Sequence, residues 1–578
     1  MNTEVNVRAQ DLGKIMEADI LIIGGGIAGL FAGIKAKVKE PAANVLLVDK
    51  CYPGVSGSSV FAAGIVNYWQ PGDDFDGVVR EIVVDNAEYL IDQDYVELAV
   101  RESYDRFNDL VQLGVEFQRD EKGNLKRIPA LTCKVAKCTP YRGGIALTWK
   151  LRRKAEKNGV IMMERIFVID LLINDGQCVG AVGFHTRTGD FYVFKAKETI
   201  LAGGTLFIGR PQMGPSGTTG DSQAMAFRAG LALRNLEQVS TSHGPAFMPA
   251  PGLHVIFGSG GILVNSKGER FMEKYNPELL EESRRFDTAR AILLEWKEGR
   301  GPCYLDCTHL SSEAIGTIMT SLPLFASGLK ALGLDLKKDK VEYVPYGLNI
   351  QHQAGVRVNN ADGDVGVQGL RVVGTAGDFC GGVDGTIASS LIGSAVQGAK
   401  AGERAVEDIL YVQSPVIDMA QVWALRENIY EPLETDSRST IETHEAKRRL
   451  WEIMMRYVNL VKNEAMLKKA VAEISKLLES FKKGSAKDIH ELARVHELRN
   501  MLTISELIAK SAIIRTESRR CHYRLDYPNR DDKTWLKWII TKLVNGKAEI
   551  WTEDIPISKW KHKPAIGRGE EKAHGDKS

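Results

Sequence analysis

The sequence is short of most features that decide a function at a glance. Its 578 residues carry a net charge of +1, so the basic excess that a nucleic-acid binder needs is missing. No apolar run reaches the length of a membrane span, and the longest is broken by Gly24, Gly25 and Gly26. A membrane association is expected only indirectly, through a partner. Residues 1–17 show neither the basic start nor the apolar stretch of a signal peptide, and the expected location is cytoplasmic. The 8 cysteines include no C-x-x-C pair. The Cys133/Cys138 and Cys303/Cys307 spacings have no further ligands nearby, which predicts reduced thiols without an iron–sulfur cluster or zinc in this chain. A chain this long needs more than one hydrophobic core, about two to four.

What the sequence does have is concentrated in residues 18–50, ADILIIGGGIAGLFAGIKAKVKEPAANVLLVDK. Residues 18–23 suit a buried parallel strand. Gly24, Gly26 and Gly29 have the G-x-G-x-x-G spacing: a tight turn, room for a pyrophosphate against bare backbone, and close helix–strand packing. The helix opening at Ile27 and Ala28 presents free N–H groups and its positive dipole end to phosphates. Residues 45–48 form a second strand, and Asp49, followed by Lys50, stands about 20 residues past the last glycine, where a ribose-binding acid belongs. The Gly/Ser-rich stretch 51–64 then reads as a loop beneath the cofactor, bringing Ser58, Ser59, Ala63 and Gly64 to it.

Farther along, residues 74–113 show helical spacing, with Val96, Val100, Tyr104, Phe107 and Val111 on one face. Residues 148–159 read as helix. Residues 160–173, 178–184, 190–196 and 198–202 read as a β-rich insert that returns to the sheet, adding Val168, Ala202 and Gly203 to the cofactor set. Thr219-Gly220-Asp221 opens another helix; Asp221 either caps it or accepts from a ribityl hydroxyl. The Gly-, Pro- and His-rich stretch 236–349, helical over 283–296, reads as an inserted cap. A second strand–turn–acid unit follows, LRVVG with Asp378, placed to reach the ribityl chain. That second unit favours FAD over a nicotinamide. Residues 389–409 are helical. Leu467, Val471, Ile474, Leu478 and Phe481 form an apolar stripe on a helical bundle, residues 489–514 return as further helix, and the last residues, GRGEEKAHGDKS, have a disordered composition.

The segments GGGIAGL, TGDSQAMAFRAG, GILVNSKGERFMEKY, ARAILLEWKEGRGPCYLDCTHL, GTAGD and ESRRCHYRLDYPNRDDKTWLKWI resemble the flavoprotein subunits of the succinate dehydrogenase/fumarate reductase family. That family includes L-aspartate oxidase and the adenylylsulfate reductase alpha subunit, the branch that residues 160–196 resemble most. The resemblance implies an α/β fold with a Rossmann-like FAD-binding domain interrupted by a cap, then a helical domain and a small tail. The corresponding division is 1–235 and 350–413 for the FAD domain, 236–349 for the cap, 414–524 for the helices and 525–578 for the tail. It also implies that Arg285 is the proton-relay arginine, with Arg284 as the fallback, that His352 binds substrate with His243 as the other candidate, and that Ser389, Ser390 and Leu391 meet the flavin's pyrimidine edge.

Three departures shape the expectation. No histidine stands in Gly57-Ser58-Ser59-Val60, so the FAD should be noncovalent. Residues 384–390 lack the family's clamp arginine, which Arg357 replaces in charge though not in position. The H-P-T-G segment survives only as Ser242-His243-Gly244-Pro245. For the adenylylsulfate reductase branch, an arginine is missing between Arg234 and Arg270. The implied function is hydride exchange between FAD and a small organic anion, with electrons exchanged with an iron–sulfur subunit in an oligomer. The alternatives are an adenylylsulfate reductase-like enzyme, an L-aspartate oxidase-like oxidase, and an electron-transfer subunit without a small-molecule substrate.

Overall fold

The computed structural model describes residues 13–62, 64–130, 133–138, 143–209, 217–248, 254–350, 354–379, 390–412, 414–434, 441–481 and 484–564. At its centre the strand Lys14–Ile23 runs parallel to Val45–Val48 on one side and to Phe191–Leu201 on the other. Ile20, Leu21 and Ile22 are wholly buried, as expected for a parallel strand covered on both faces. Ile161–Met163 adds an edge beyond Val45–Val48. The strand Phe191–Leu201 is shared. Its first half pairs antiparallel with Gln177–His185, which pairs with Ile166–Asn174, and its last residues pair parallel with Leu370–Val372. Residues 190–196 and 198–202 are thus one strand, continuous through Lys197, whose ammonium reaches Asp19 at the sheet surface.

The two distant parts of this domain are joined by a helix crossing. Ile27–Lys39 lies against Ser390–Asp408. A Cβ on Gly398 would stand 2.1 Å from the Ala28 carbonyl oxygen, and one on Gly402 would stand 2.2 Å from that of Ala32. The backbones therefore approach as only glycine permits.

The cap carries its own core, which includes Ile256, Leu263, Met272, Ile292, Leu305, Phe325 and Tyr343. Its antiparallel sheet joins Phe207–Gly209 and Val239–Pro245 to Val341–Ile350, and Cys303–Asp306 and Ile262–Val264 beyond it. One of its strands thus comes from before residue 236. The cap helix runs Arg285–Lys297.

Other elements differ from the sequence reading in informative ways. Residues 74–113 are not one helix. Phe75–Arg80 leads into a π-helical turn, Glu81–Asn86, before Gln93–Gln112 starts afresh with the Asp92 carboxylate accepting from Tyr95 N. The helix after Thr219 ends at Arg228, because Leu233–Arg234 is a strand paired with the tail hairpin. On Glu464–Phe481 the buried face is Leu467, Ala470, Ile474, Leu477 and Phe481, with Val471 and Leu478 at its margins. The C-terminal segment 565–578 lies outside the described residues.

The crossing yields a test. Gly398→Ala forces a methyl onto a carbonyl that cannot rotate away, an overpacking cost of about 1–3 kcal/mol. Gly316 sits in the helix Ser312–Ser321 with open space at its Cβ position, so Gly316→Ala gains up to about 1 kcal/mol of helix propensity. Thermal unfolding should show a lower apparent Tm for the first and an equal or higher one for the second. Equal melting of the two would mean the helices are not in backbone contact.

Candidate flavin and substrate site

A cleft of about 350 Å³ opens at the carboxyl ends of the central strands. Gly24 makes the turn at φ +112°, and a Cβ on Gly29 would lie 2.0 Å from the Gly24 carbonyl oxygen. Gly26 is different. Its Cβ would meet nothing closer than the Ser59 hydroxyl at 3.5 Å, so this position is left open toward the cleft. Gly26 stands at the start of the helix with no side-chain cap, and Ile27 N donates to Ser59 Oγ at 3.3 Å. Free helix N–H groups beside bare glycine backbone suit a pyrophosphate. Ala28, Ser58, Val168, Ala202 and Gly203 also line the cleft.

The Asp49 carboxylate braces this turn. It accepts from Gly25 N and Cys51 N, each at 2.7 Å, and burial pushes its pKa up. It borders the cleft, where its remaining lone pairs can take ribose hydroxyls. Lys50 Nζ has three acceptors at 2.8 Å: Thr219 Oγ1, Asp221 Oδ2 and Glu497 Oε1. Burial works against its charge, but Asp221 and Glu497 outweigh it and hold the pKa above the usual lysine value. Lys50 thereby ties the FAD-binding part to the helix Ile489–Ile514.

Asp221 does not cap its helix. Gly220, at φ +74°, is the cap residue, with no side-chain capping bond. The Asp221 carboxylate is instead bound by Lys50, the Thr219 hydroxyl and Asn500 Nδ2 at the cleft wall. Thr219 itself stands behind that wall. Asp378 departs from its expected role. It does not line the cleft, and its carboxylate is buried in an ion pair with Arg234 and accepts from Val358 N at 3.0 Å. Burial pushes its pKa up to about 6. It fastens the second strand unit. Arg357 is likewise removed from any clamp role, since it pairs with Glu553 of the tail at 2.9 Å. Gly64 and Leu391 are buried but do not border this cleft.

Sequence reasoning missed Ser222, Gly374, Thr375 and Ser394, all in the cleft wall. Ser222 Oγ is buried with no partner among the described residues, which marks it as a donor for a bound group. Its signal was its place directly after Asp221 in the helix that faces the cofactor.

In the cap, His243 is 7% exposed, and both ring nitrogens are engaged. Nε2 lies 3.1 Å from the Arg285 carbonyl oxygen, so it carries the proton, and Nδ1 lies 3.3 Å from Tyr343 Oη. Its geometry holds the start of the cap helix, and with both ring nitrogens engaged by protein groups His243 does not fit the reading of it as the other candidate for binding substrate. Arg285 is the first residue of that helix and is part-buried. The fallback, Arg284, is committed elsewhere: its guanidinium reaches Glu88 at 3.2 Å and Asp287 at 2.9 Å. His352, Ala63, Ser389 and the side chain of Ser390 lie outside the described residues.

This cleft is a dinucleotide site, and comparison with known proteins identifies its occupant. The FAD binding domain family model matches residues 19–390, and the model for the fumarate reductase flavoprotein C-terminal region matches residues 447–567. The chain is an FAD-dependent oxidoreductase. More closely, it belongs to the fumarate reductase/succinate dehydrogenase flavoprotein family. It is 30% identical over 568 residues to a subunit of the fumarate reductase (CoM/CoB) of Methanothermobacter marburgensis, covering 93% of this chain and 98% of that one. It is also 30% identical over 564 residues to an FAD-dependent oxidoreductase of Methanocaldococcus jannaschii, covering 94% and 99%. A solved structure of E. coli quinol fumarate reductase superposes with a TM-score of 0.85 at 25% identity, over 96% of this chain and 99% of that chain. Among the described residues no single helix is long and apolar enough to cross a membrane.

Because Gly26 meets so little protein, Gly26→Val should fold and purify without flavin. The check is the ratio of flavin to protein absorbance beside an unchanged far-ultraviolet circular dichroism spectrum. Full flavin occupancy in this variant would remove the turn from the pyrophosphate site.

Proposed function

We propose that this chain is the flavin-bearing subunit of an enzyme that exchanges hydride between noncovalently held FAD and a small organic anion. Electrons pass to or from a separate iron–sulfur protein in an oligomeric complex. The observation that carries this reading is the arginine Arg285 at the first turn of a cap helix whose backbone is gripped by His243, in a chain that aligns end to end with part of a fumarate reductase. Several relatives are themselves named flavoprotein subunits, which supports the partner.

FAD bound in the cleft supplies the two-electron chemistry. Arg285 supplies a cation beside the anion that forms, and relays a proton from a neighbour, since its own is held tightly. His243 keeps the helix start in register. Ser58 and Ser59 stand where a linking histidine would be, and Ser59 Oγ is engaged by Ile27 N, so acid denaturation should release all the flavin. The five free cysteines among the described residues suit a reducing compartment, and the proposed location is the cytoplasm, with any membrane contact made through a partner.

Anaerobic screening of substrates against the flavin absorbance tests the reading. Bleaching of the oxidised protein by an organic acid, or reoxidation of the reduced protein by an unsaturated one, supports it. Reoxidation by an adenylyl sulfate would favour adenylylsulfate reductase chemistry, rapid reoxidation by air an oxidase, and indifference to every small molecule an electron carrier. With the responding acid, Arg285→Lys should leave binding intact and lower turnover by at least about 100-fold, the loss expected for a positioned proton donor. Unchanged turnover in that variant would remove Arg285 from the mechanism.

A further inference from the structure

The turn between Glu81–Asn86 and Gln93–Gln112 is held against its own backbone preference. Glu88 has φ +44° and Tyr89 φ +69°, left-handed values that residues with a side chain seldom adopt and that persist where the surroundings impose them. Here the surroundings are the cap and the C-terminal segment. Glu88 Oε1 lies 3.2 Å from Arg284 Nη1, and that nitrogen also donates to the Asp85 carbonyl at 2.5 Å. Glu88 Oε2 accepts from Arg520 N at 3.1 Å, and its carbonyl accepts from Arg519 Nη1 at 2.8 Å. Arg520 Nε donates to Asn86 O at 2.8 Å, and Arg520 itself has φ +53°. Arg530 lies over the Tyr89 ring. The Glu88 side chain is 12% exposed, so the pair with Arg284 is screened less than a surface pair.

We propose that Glu88 is a positioning residue for the cap: acting through Arg284, it holds the first turn of the helix Arg285–Lys297 against the FAD-binding part. The Arg284 carbonyl accepts from Asp287 N at 2.9 Å and Thr288 N at 3.2 Å, so anchoring its guanidinium anchors that turn. Arg285 follows directly, with His243 on its carbonyl. The consequence for proton delivery rests on the reading of Arg285 given above; the latch itself does not. On the cap side the turn is met by Arg284, at Glu88 and at the Asp85 carbonyl, whereas Arg519 and Arg520 hold it from the C-terminal segment, so Arg284 is where the strained turn meets the cap.

Amide hydrogen exchange on the FAD-loaded full chain, without substrate, tests the latch. Glu88→Gln removes the charge and keeps the shape, and Arg284→Gln removes it from the cap side should the turn variant fail to fold. Each should speed exchange in residues 285–297 by about tenfold or more, as local opening without global unfolding does. The double variant should show less than the sum of the two single effects, since the Glu88–Arg284 pair is lost in each, while the contacts of Arg284 to Asp287 and to the Asp85 carbonyl are lost only on the cap side. Glu88→Asp should recover at least half of the lost protection, and the amides of Ile20–Ile23 should not change. Unaltered exchange over 285–297, additive effects, failure of Glu88→Asp to restore protection, or an equal rise in the central strand would overturn the proposal. Turnover is not measured in this experiment, so Arg285→Lys can fail independently and leave the latch standing.

Discussion

The close approach of two helix backbones is the constraint on which the remainder depends. Ala28 and Ala32 on one helix meet Gly398 and Gly402 on the other with carbonyl oxygens where side chains would be. These helices come from opposite ends of a domain that the cap interrupts. Their contact closes the insertion and brings Gly374, Thr375 and Ser394 to the same cleft as Gly24–Ala28. A bulkier residue at the crossing would separate the halves of the cofactor site as well as the helices. The strand Phe191–Leu201 reinforces the join, because its final residues pair with both Lys14–Ile23 and Leu370–Val372.

Charge is used in this fold chiefly to tie parts together. Lys50 links the cofactor turn to the helical domain through Asp221 and Glu497. Arg234 and Asp378 fasten the second strand unit, and Arg234 also stacks 4.3 Å from the centre of the Trp538 ring in the tail. Arg515, wholly buried, joins Glu237 at the cap border to Glu517 in the C-terminal segment. Such pairs add little net stability over apolar packing, but breaking one leaves a buried charge unpaired. They act as registration marks between segments far apart in the chain. Residues read as ligands for the cofactor, Asp378 above all, turn out to belong to this set.

The cap is held in another way. Its helix start is gripped from one side by His243 and from the other by Arg284 with Glu88. The two grips act on consecutive residues, 285 and 284. Arg285 is therefore placed through its own backbone and through its neighbour's ion pair, so the position of the turn is set before the Arg285 guanidinium takes part in any chemistry.

By itself the sequence determined the strand–turn–helix that begins the FAD domain, the second unit at Leu370–Val372, the cap helix and the bundle helix Glu464–Phe481, though not which of its apolar residues are buried. These are local patterns: glycine spacing, apolar runs and a 3.6-residue period are written in neighbouring positions. It also carried the family, whose motifs are contiguous. Tertiary structure alone decided which acids border the cleft and which are taken up by partners, because Asp49 and Asp378 look alike until Arg234 is found beside one of them. Only the folded chain joined His243 to Arg285, 42 positions apart, and showed the 74–113 helix broken at a strained turn. A period cannot reveal such a break, since the turn is imposed by arginines more than 400 residues away and the energy that holds it is not local.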